Sequence, residues 1–128
     1  MTSTATLSRP TALTTIEIFF EAWGIADLKT LDTLVDPTLV ISDITGLLYA
    51  RPAYVGVAGA VRELQQRWHN FDLQVADAVE AADGKVFATL HATFEKYGTS
   101  FDMDIPVICE LRDGRVISVS DDDAAYAA

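Results

Sequence analysis

The fold is decided by residues 84–123, which read GKVFATLHATFEKYGTSFDMDIPVICELRDGRVISVSDDD. From Phe101 to Leu111, apolar residues fall at every second position and mostly polar residues lie between them. Successive side chains of a β-strand point to opposite faces, so this pattern predicts a strand with one apolar face. Val86 to Phe94 alternate in the same way, and Asp113-Gly114 is a hairpin signal before a third strand at 116–121. The segment predicts an antiparallel meander with one face that needs cover.

The predicted cover lies earlier in the chain, as helices. Residues 13–25 predict an amphipathic helix, because large apolar side chains recur at three- and four-residue spacing. These side chains are Ile16, Phe19, Phe20 and Trp23. Asp27 is the predicted N-cap of a second helix, which Asp36-Pro37 ends. Pro52 suits the first turn of a third helix, predicted over 53–68.

Two further strands are predicted, over 39–43 and 71–79. In the second one the alternating residues are Phe71, Leu73, Val75 and Val79. The resulting order is α, α, β, α, β, β, β, β, which places the protein in the α+β class. With 128 residues, we expect a single domain over 13–123, with a flexible tail at 1–12 and another at 124–128.

Composition excludes several classes of function. The net charge of −10 argues against nucleic acid and anionic membrane surfaces as partners. The single cysteine, Cys109, is interpreted as a small buried hydrophobe. His69 and His91 form no metal motif, so neither a metal nor another cofactor is predicted. The absence of a signal-peptide pattern and of any 18-residue apolar run predicts a soluble cytoplasmic protein.

Several pieces of the sequence together resemble a known family over residues 13–123. The pieces are the helix ending near Trp23, the step Ile25-Ala26-Asp27-Leu28, LVDPTLVISD at 34–43, Tyr49, WHNFD at 68–72 and LRDGRVISV at 111–119. Their order and spacing resemble the SnoaL-like branch of the nuclear-transport-factor-2-like superfamily. Its members include polyketide cyclases, ketosteroid isomerases and limonene-epoxide hydrolases.

The resemblance implies a cone: a curved antiparallel sheet wrapped around three N-terminal helices, with a ligand cavity between them. It also implies a homodimer formed through the outer sheet face. One apolar set of strand residues should then line the core and the pocket: Leu90, Ala92, Met103, Ile105, Val107 and Cys109. The alternate polar set should face solvent or a second subunit: His91, Thr93, Asp102, Asp104 and Glu110.

Asp43 is the first catalytic candidate. It shares a predicted strand face with Leu39 and Ile41, and a carboxylate in an apolar cavity loses hydration, which raises its pKa toward the range useful for proton transfer. The resemblance aligns Asp43 with the general base of ketosteroid isomerases. The alternative is that Asp43 caps the following turn or forms a salt bridge at the cone rim.

Asp121 is the second catalytic candidate. It follows Ile117 and Val119 at alternating positions on the face predicted to point inward. The resemblance places it where epoxide hydrolases and polyketide cyclases carry a catalytic aspartate. The alternative is that 121–123 form a solvated acidic tail. Two inward carboxylates would repel each other and separate their pKa values, which provides one acid and one base.

Other positions depart from the family's catalytic residues. Phe19 stands where ketosteroid isomerases carry a tyrosine, and Val107 stands where they carry a protonated aspartate. Neither can donate a hydrogen bond, so steroid isomerisation is not expected. Leu90 and Ala92 occupy the positions of the Arg and Asp of the epoxide hydrolases, so water activation of that kind is not expected either.

The remaining predicted ligand contacts are aromatic. Tyr49 and Tyr54 flank the entry to the third helix, where the family has its cavity mouth, and Tyr49 could donate a hydrogen bond to a ligand. Trp23 and Trp68 are expected to be core residues that also form cavity wall. The pocket therefore suits a hydrophobic small molecule.

Two functions stay open on this sequence. The first is a cofactor-independent enzyme of cyclase or isomerase type, with Asp43 as base and Asp121 as acid, acting on a hydrophobic carbonyl-bearing substrate. The second is a non-catalytic module that binds a ligand or forms a dimer. The inward position predicted for Asp43 favours the enzyme, and the missing donors at Phe19 and Val107 favour the module.

Overall fold

The computed structural model describes residues 11–42 and 53–122, with the backbone alone described at Ser42, Ala53–Val55 and Leu64. The helices are α1 (Ala12–Gly24), α2 (Leu28–Leu34) and α3 (Ala58–Arg67). The strands are β1 (Val35–Ser42), β2 (Ala53–Val55), β3 (His69–Glu80), β4 (Lys85–Lys96), β5 (Thr99–Arg112) and β6 (Arg115–Asp121). Within the described ranges, every helix is too short or too polar to cross a membrane.

The strands form one six-stranded sheet in the order β2-β1-β6-β5-β4-β3. The predicted meander is confirmed, since β3, β4, β5 and β6 pair antiparallel in sequence order. The sheet is nevertheless mixed, because β1 lies parallel to β6. Parallel neighbours need a long connection between them, and here α3 and the whole meander separate the two strands. The α+β class is confirmed.

The alternation predicted for β4 and β5 is confirmed. The inner positions of these two strands are buried: Val86, Ala88, Leu90, Ala92, Phe94, Ile105, Val107 and Cys109. Met103 is half-buried at the end of the same row. Burial raises the pKa of the Cys109 thiol to about 12, which keeps the thiol protonated at neutral pH. Cys109 therefore serves as a core residue, as predicted.

The helices cover the inner face of the sheet, and α1 packs mainly on the edge strand β3. A Cβ added to Gly24 would lie 3.0 Å from the Leu73 amide nitrogen, so the absence of a side chain allows the end of α1 to approach β3 closely. Asp27 is the N-cap of α2, as predicted, and accepts a hydrogen bond from the Thr30 amide. Hydrogen bonds from Thr30 lower the pKa of the Asp27 carboxyl.

The predicted start of the third helix is wrong. Residues 53–55 form β2, which pairs antiparallel with β1, and α3 begins at Ala58. Gly56 follows β2 with φ +81°, a left-handed conformation that ends the strand and that glycine adopts without strain. Pairing with the distant strand β1 outweighs the local preference of Pro52 for a first helical turn.

Two further predictions are wrong, and both misses have the same cause. Val79 does not continue the alternation of Phe71, Leu73 and Val75, and Ile117 does not lie on the buried face. Val79 is 59% exposed, because the register of β3 against β4 shifts between Val75 and Asp77. In β6, Val116 is buried and Ile117 is only half-buried, because the register against β5 shifts between Glu110 and Leu111. An extra residue in one strand reverses the face of every following side chain.

The turn at Gly84 provides a test of this packing. Gly84 has φ +73°, and a Cβ placed there would lie 2.5 Å from the Leu111 carbonyl oxygen. The Gly84 carbonyl also accepts a hydrogen bond from the Leu111 amide at 2.8 Å. We expect Gly84→Ala to lower the free energy of unfolding by about 2–4 kcal/mol, because backbone strain and a clash with backbone add together. Urea unfolding measures the change.

Gly98→Ala is the matched control. Gly98 has φ +75°, but nothing lies within 4 Å of its added Cβ. This variant should lose only the strain of about 1–2 kcal/mol. Equal losses in the two variants would contradict the close approach of Gly84 to β5.

Candidate functional site

Asp121 lies on the inner face of the sheet at the end of β6. Its cross-strand partner in β5 is Val107, which is fully buried, and directly opposed residues of an antiparallel pair share a face. Val119, two residues earlier, is also fully buried. Asp121 itself is half-buried. The structure thus brings a carboxylate to the border of the apolar core.

The three consecutive aspartates at 121–123 are not equivalent. The Asp122 amide donates a hydrogen bond to the Pro106 carbonyl at 3.0 Å, on the strand that pairs with β6. Asp122 follows Asp121 by one residue, so its side chain leaves the opposite face of the strand. Asp123 lies outside the described residues. Of the two described aspartates, Asp121 is the one on the inner face.

The other predicted polar residues are described in part or not at all. Asp43 and Tyr49 lie outside the described residues. The backbone of Tyr54 lies in β2 and pairs with Ile41 of β1. Ile41 pairs in turn with Val119 of β6 and is fully buried. The strand end that leads to Asp43 therefore runs beside the strand end that carries Asp121.

The predicted aromatic contacts of α1 form one cluster in the core. Phe19 and Trp23 meet edge to face with their ring centroids 5.6 Å apart, and Phe20 stacks on Trp23 at 5.7 Å. All three side chains are at most 1% exposed. Edge-to-face and offset packing suits the charge distribution of aromatic rings. The cluster holds the end of α1 firmly against the sheet.

The predicted apolar contacts from the strands lie beside this cluster or farther along the sheet. Leu90 pairs with Ile105 across β4 and β5, and both are buried. Met103 and Trp68 are half-buried. The Trp68 ring lies 4.5 Å from Phe94, at the end of the sheet, and Lys96 Nζ lies 4.8 Å from the Trp68 centroid. A role of these side chains in ligand binding stays a prediction.

The aromatic cluster of α1 contains a buried polar atom. The indole Nε1 of Trp23 is buried, and none of the described residues accepts a hydrogen bond from it. An unsatisfied buried donor costs about 1–3 kcal/mol, and in native structures such an atom calls for an explanation. The sequence predicts a buried Trp23, but the pattern of apolar residues carries no information about its N–H.

Two surface grooves are lined by described residues, and neither contains a predicted site residue. The larger, of about 480 Å³, lies between α1 and β3 and includes Glu17, Glu21 and Asp72. The smaller, of about 200 Å³, lies near Phe101 at the far end of β4 and β5. Among the described residues, no group of three or more His, Cys, Asp or Glu side chains is arranged to hold a metal ion.

The outer sheet face carries a histidine–carboxylate pair, His91 and Asp104. The alternation predicts that both residues face outward, but it does not predict that they contact each other. His91 Nδ1 lies 2.8 Å from Asp104 Oδ1, on directly opposed residues of β4 and β5. The hydrogen bond to Asp104 raises the pKa of His91, and the charges of Asp104, Asp102 and Asp72 add to this effect. The outward position predicted for His91 is confirmed.

The sequence was compared with protein families. It matches the SnoaL-like domain over residues 16–119, which is most of the chain. The chain belongs to the SnoaL-like domain family. No curated protein matches the sequence.

Several solved structures share the fold of this SnoaL-like chain. IdmH of Streptomyces antibioticus, a candidate polyketide cyclase, is 23% identical; the match covers 90% of this chain and 94% of IdmH with a TM-score of 0.71. A protein with a ketosteroid isomerase-like fold from Catenulispora acidiphila is 18% identical, with coverages of 88% and 85% and a TM-score of 0.70. An LEH-like epoxide hydrolase of M. tuberculosis is 19% identical, with coverages of 86% and 76% and a TM-score of 0.67.

At these identities the structural matches show the fold alone. They confirm that the SnoaL-like chain has the α+β fold of the nuclear-transport-factor-2-like superfamily, as its sequence pieces predict.

The pair on the outer face generates a prediction about pH. Because the pKa of His91 is raised above the ordinary 6.5, the pair stabilises the folded state fully below pH 6.5, and this stabilisation is lost as the pH rises through the folded-state pKa. NMR titration of the His91 ring should place its pKa above 6.5, and Asp104→Asn should lower it. Glu95→Gln is the control, since Glu95 lies on the same face but bonds to Asn70. An equal drop in both variants would contradict a specific His91–Asp104 pair.

Proposed function

We propose that this SnoaL-like protein is a cofactor-independent enzyme of cyclase or isomerase type, which moves protons on a hydrophobic, carbonyl-bearing small molecule. The observation that supports the proposal is the place of Asp121, a half-buried carboxylate opposite fully buried Val107. A carboxylate at an apolar border is partly dehydrated, which favours exchange of its proton near neutral pH.

Asp43 is the proposed general base. It follows Ile41 by two residues, as Asp121 follows Val119, and Ile41 and Val119 are paired neighbours in parallel strands. Residues two apart in a strand share a face, so the spacing from Ile41 supports Asp43 as a partner of Asp121 in the proposed reaction. Two neighbouring carboxylates separate their pKa values, so that one is a base while the other holds a proton.

The proposed reaction begins with transfer of a proton from the carbon next to the substrate carbonyl to the Asp43 carboxylate. The electrons of the broken C–H bond form a C=C bond, and the C=O π electrons move to oxygen as an enolate. Where a C=C bond is conjugated with the enolate, the resulting dienolate takes a proton from Asp121 at its far carbon and the C=O bond re-forms, which is isomerisation; transfer of the proton from Asp43 to Asp121 then restores both groups. Alternatively, the enolate attacks a second carbonyl of the same molecule, whose oxygen receives the proton, and this step closes a ring.

The substrate class follows from the proposed pocket walls, which are apolar. We assign them to the side chains Phe19, Trp23, Trp68, Leu90, Met103, Ile105 and Val107, with Tyr49 and Tyr54 at the mouth. The relation to IdmH, a candidate polyketide cyclase, supports a small molecule with several carbonyl groups.

A second candidate function is a non-catalytic module that dimerises, and one observation favours dimerisation. Val79 is 59% exposed, and Phe87, opposite it, is 38% exposed. Ile108 lies opposite Phe87 on β5 and completes an apolar row across the outer sheet face. Exposed apolar rows on a sheet are typical of protein interfaces. We propose that this row joins two copies of the chain, which is compatible with either function.

The enzyme proposal is tested with 2-tetralone, a bicyclic ketone with acidic protons beside its carbonyl. In D₂O, the wild type should exchange these protons for deuterium faster than buffer does, measured by proton NMR. Asp121→Asn should lower the enzymatic rate about 100-fold or more, and so should Asp43→Asn, because general acid–base groups contribute factors of this size.

Asp122→Asn is the matched control, because it removes the same charge one residue away and leaves the hydrogen bond of the Asp122 amide to Pro106 intact. This variant should retain the wild-type rate. Wild-type exchange no faster than buffer, or equal losses of rate in the Asp121 and Asp122 variants, would contradict the enzyme proposal. The non-catalytic module would then be the remaining candidate function.

The dimer proposal is tested with Phe87→Asp. Burying a new carboxylate opposite its symmetry-related copy is unfavourable, so the variant should be monomeric at concentrations where the wild type is dimeric. Light scattering coupled to size exclusion measures the mass. Tyr97→Asp is the control: Tyr97 is 91% exposed but lies in the β4–β5 turn, away from the row, so this variant should remain dimeric. A monomeric wild type would end the proposal.

A further inference from the structure

The unsatisfied Trp23 indole has a position that packing fixes. Its ring packs edge to face on Phe19 and stacks on Phe20, which also contact each other, and it is 1% exposed. The adjacent Gly24 lies directly against Leu73 of β3, and its carbonyl accepts a hydrogen bond from Gln65 Nε2 of α3 at 3.1 Å. With both its backbone and its ring held, Trp23 cannot readily turn its N–H toward solvent. The donor atom is therefore buried and held in one position.

The described surroundings of the Trp23 indole N–H are those of a binding site in which a ligand supplies the hydrogen-bond acceptor. The hydrocarbon rings of Phe19 and Phe20 pack against the indole, and none of the described residues accepts a hydrogen bond from Nε1. A phenylalanine would fill much of the same space with no polar atom to desolvate. A tryptophan at this position is favourable when something supplies an oxygen.

We propose that the Trp23 Nε1–H donates a hydrogen bond to the carbonyl oxygen of the ligand. This inference rests on the proposed function for its ligand class, a hydrophobic ketone. Trp23 lies one helical turn after Phe19, and the two rings are in contact. The Trp23 N–H is thus a fixed hydrogen-bond donor beside Phe19, whose own side chain has no donor. In the proposed reaction, the same N–H stabilises the negative charge that reaches the oxygen when the enolate forms.

The test uses two probes that differ in one oxygen: 2-tetralone and tetralin, its hydrocarbon counterpart. The chain has two tryptophans, so ¹⁵N-labelled protein shows two indole N–H signals, and a Trp68→Phe variant assigns them. Binding of 2-tetralone should shift the Trp23 indole proton downfield, since a new hydrogen bond deshields it. Tetralin should not produce this shift. The measurement on the wild type does not require a Trp23 variant to fold.

Affinities give a second, independent readout. In Trp23→Phe, the preference for 2-tetralone over tetralin, measured as the ratio of dissociation constants, should fall about tenfold, the value of one hydrogen bond to a buried donor. Taking the ratio cancels the loss of ring volume, which affects both probes alike. Phe20→Leu is the control: it removes aromatic volume beside Trp23 but no donor, and should leave the ratio unchanged.

Three results would overturn the inference: no binding of 2-tetralone, equal shifts with both probes, or an indole already bonded to a buried water and unaffected by 2-tetralone. Failure of the proposed catalysis can be distinguished from failure of the proposed contact at Trp23. In Asp121→Asn, the 2-tetralone shift at Trp23 should persist while deuterium exchange is lost. A shift at Trp23 without exchange in the wild type would remove the enzyme proposal and leave Trp23 as a ligand contact.

Discussion

The structure depends above all on the pairing of β4 with β5. Twelve consecutive residue pairs join these strands, from Lys85 with Glu110 to Lys96 with Thr99, without a shift of register. This ladder separates an inner face, which the helices cover, from an outer face of mostly polar and charged side chains that the row of Val79, Phe87 and Ile108 crosses. A slip by one residue would exchange the two faces completely, so burial of the inner row holds the register. On either side, β3 pairs antiparallel with β4, and β6 pairs antiparallel with β5.

The shifts of register in the sheet lie outside the β4–β5 ladder, and the shift in β6 decides the face on which Asp121 lies. The register of β6 against β5 shifts between Glu110 and Leu111, so Val116 and Val119 are both buried although they are three positions apart. With uninterrupted alternation from Val116, Asp121 would lie on the outer face. A single local shift thus places a carboxylate at the border of the core. Bulges near functional groups commonly have this effect of redirecting one side chain.

The inner face combines a dry aromatic core with very few polar groups. Phe19 and Val107 are fully buried and offer no hydrogen bond. Among the described residues, the Asp121 carboxylate on β6 lies at the border of this region and the Trp23 indole N–H on α1 lies within it. In surroundings of low polarity, each of them interacts more strongly with a bound molecule than it would in water. The proposed ligand, which is mostly apolar and carries a carbonyl group, matches these surroundings.

The sequence by itself determined the features that depend on neighbouring residues. These are the alternation of β4 and β5, the aromatic face of α1, the N-cap at Asp27 and the turn at Asp113-Gly114. Its family pieces also predicted the fold, and it proposed Asp121 among its candidates. Only the tertiary structure decided that β1 lies parallel to β6, that residues 53–55 form a strand, that His91 meets Asp104 and that a shifted register, not unbroken alternation, gives Asp121 its predicted inward face. Each of these depends on contacts between residues far apart in the chain, or on one shifted register, and no local pattern of residues encodes such contacts.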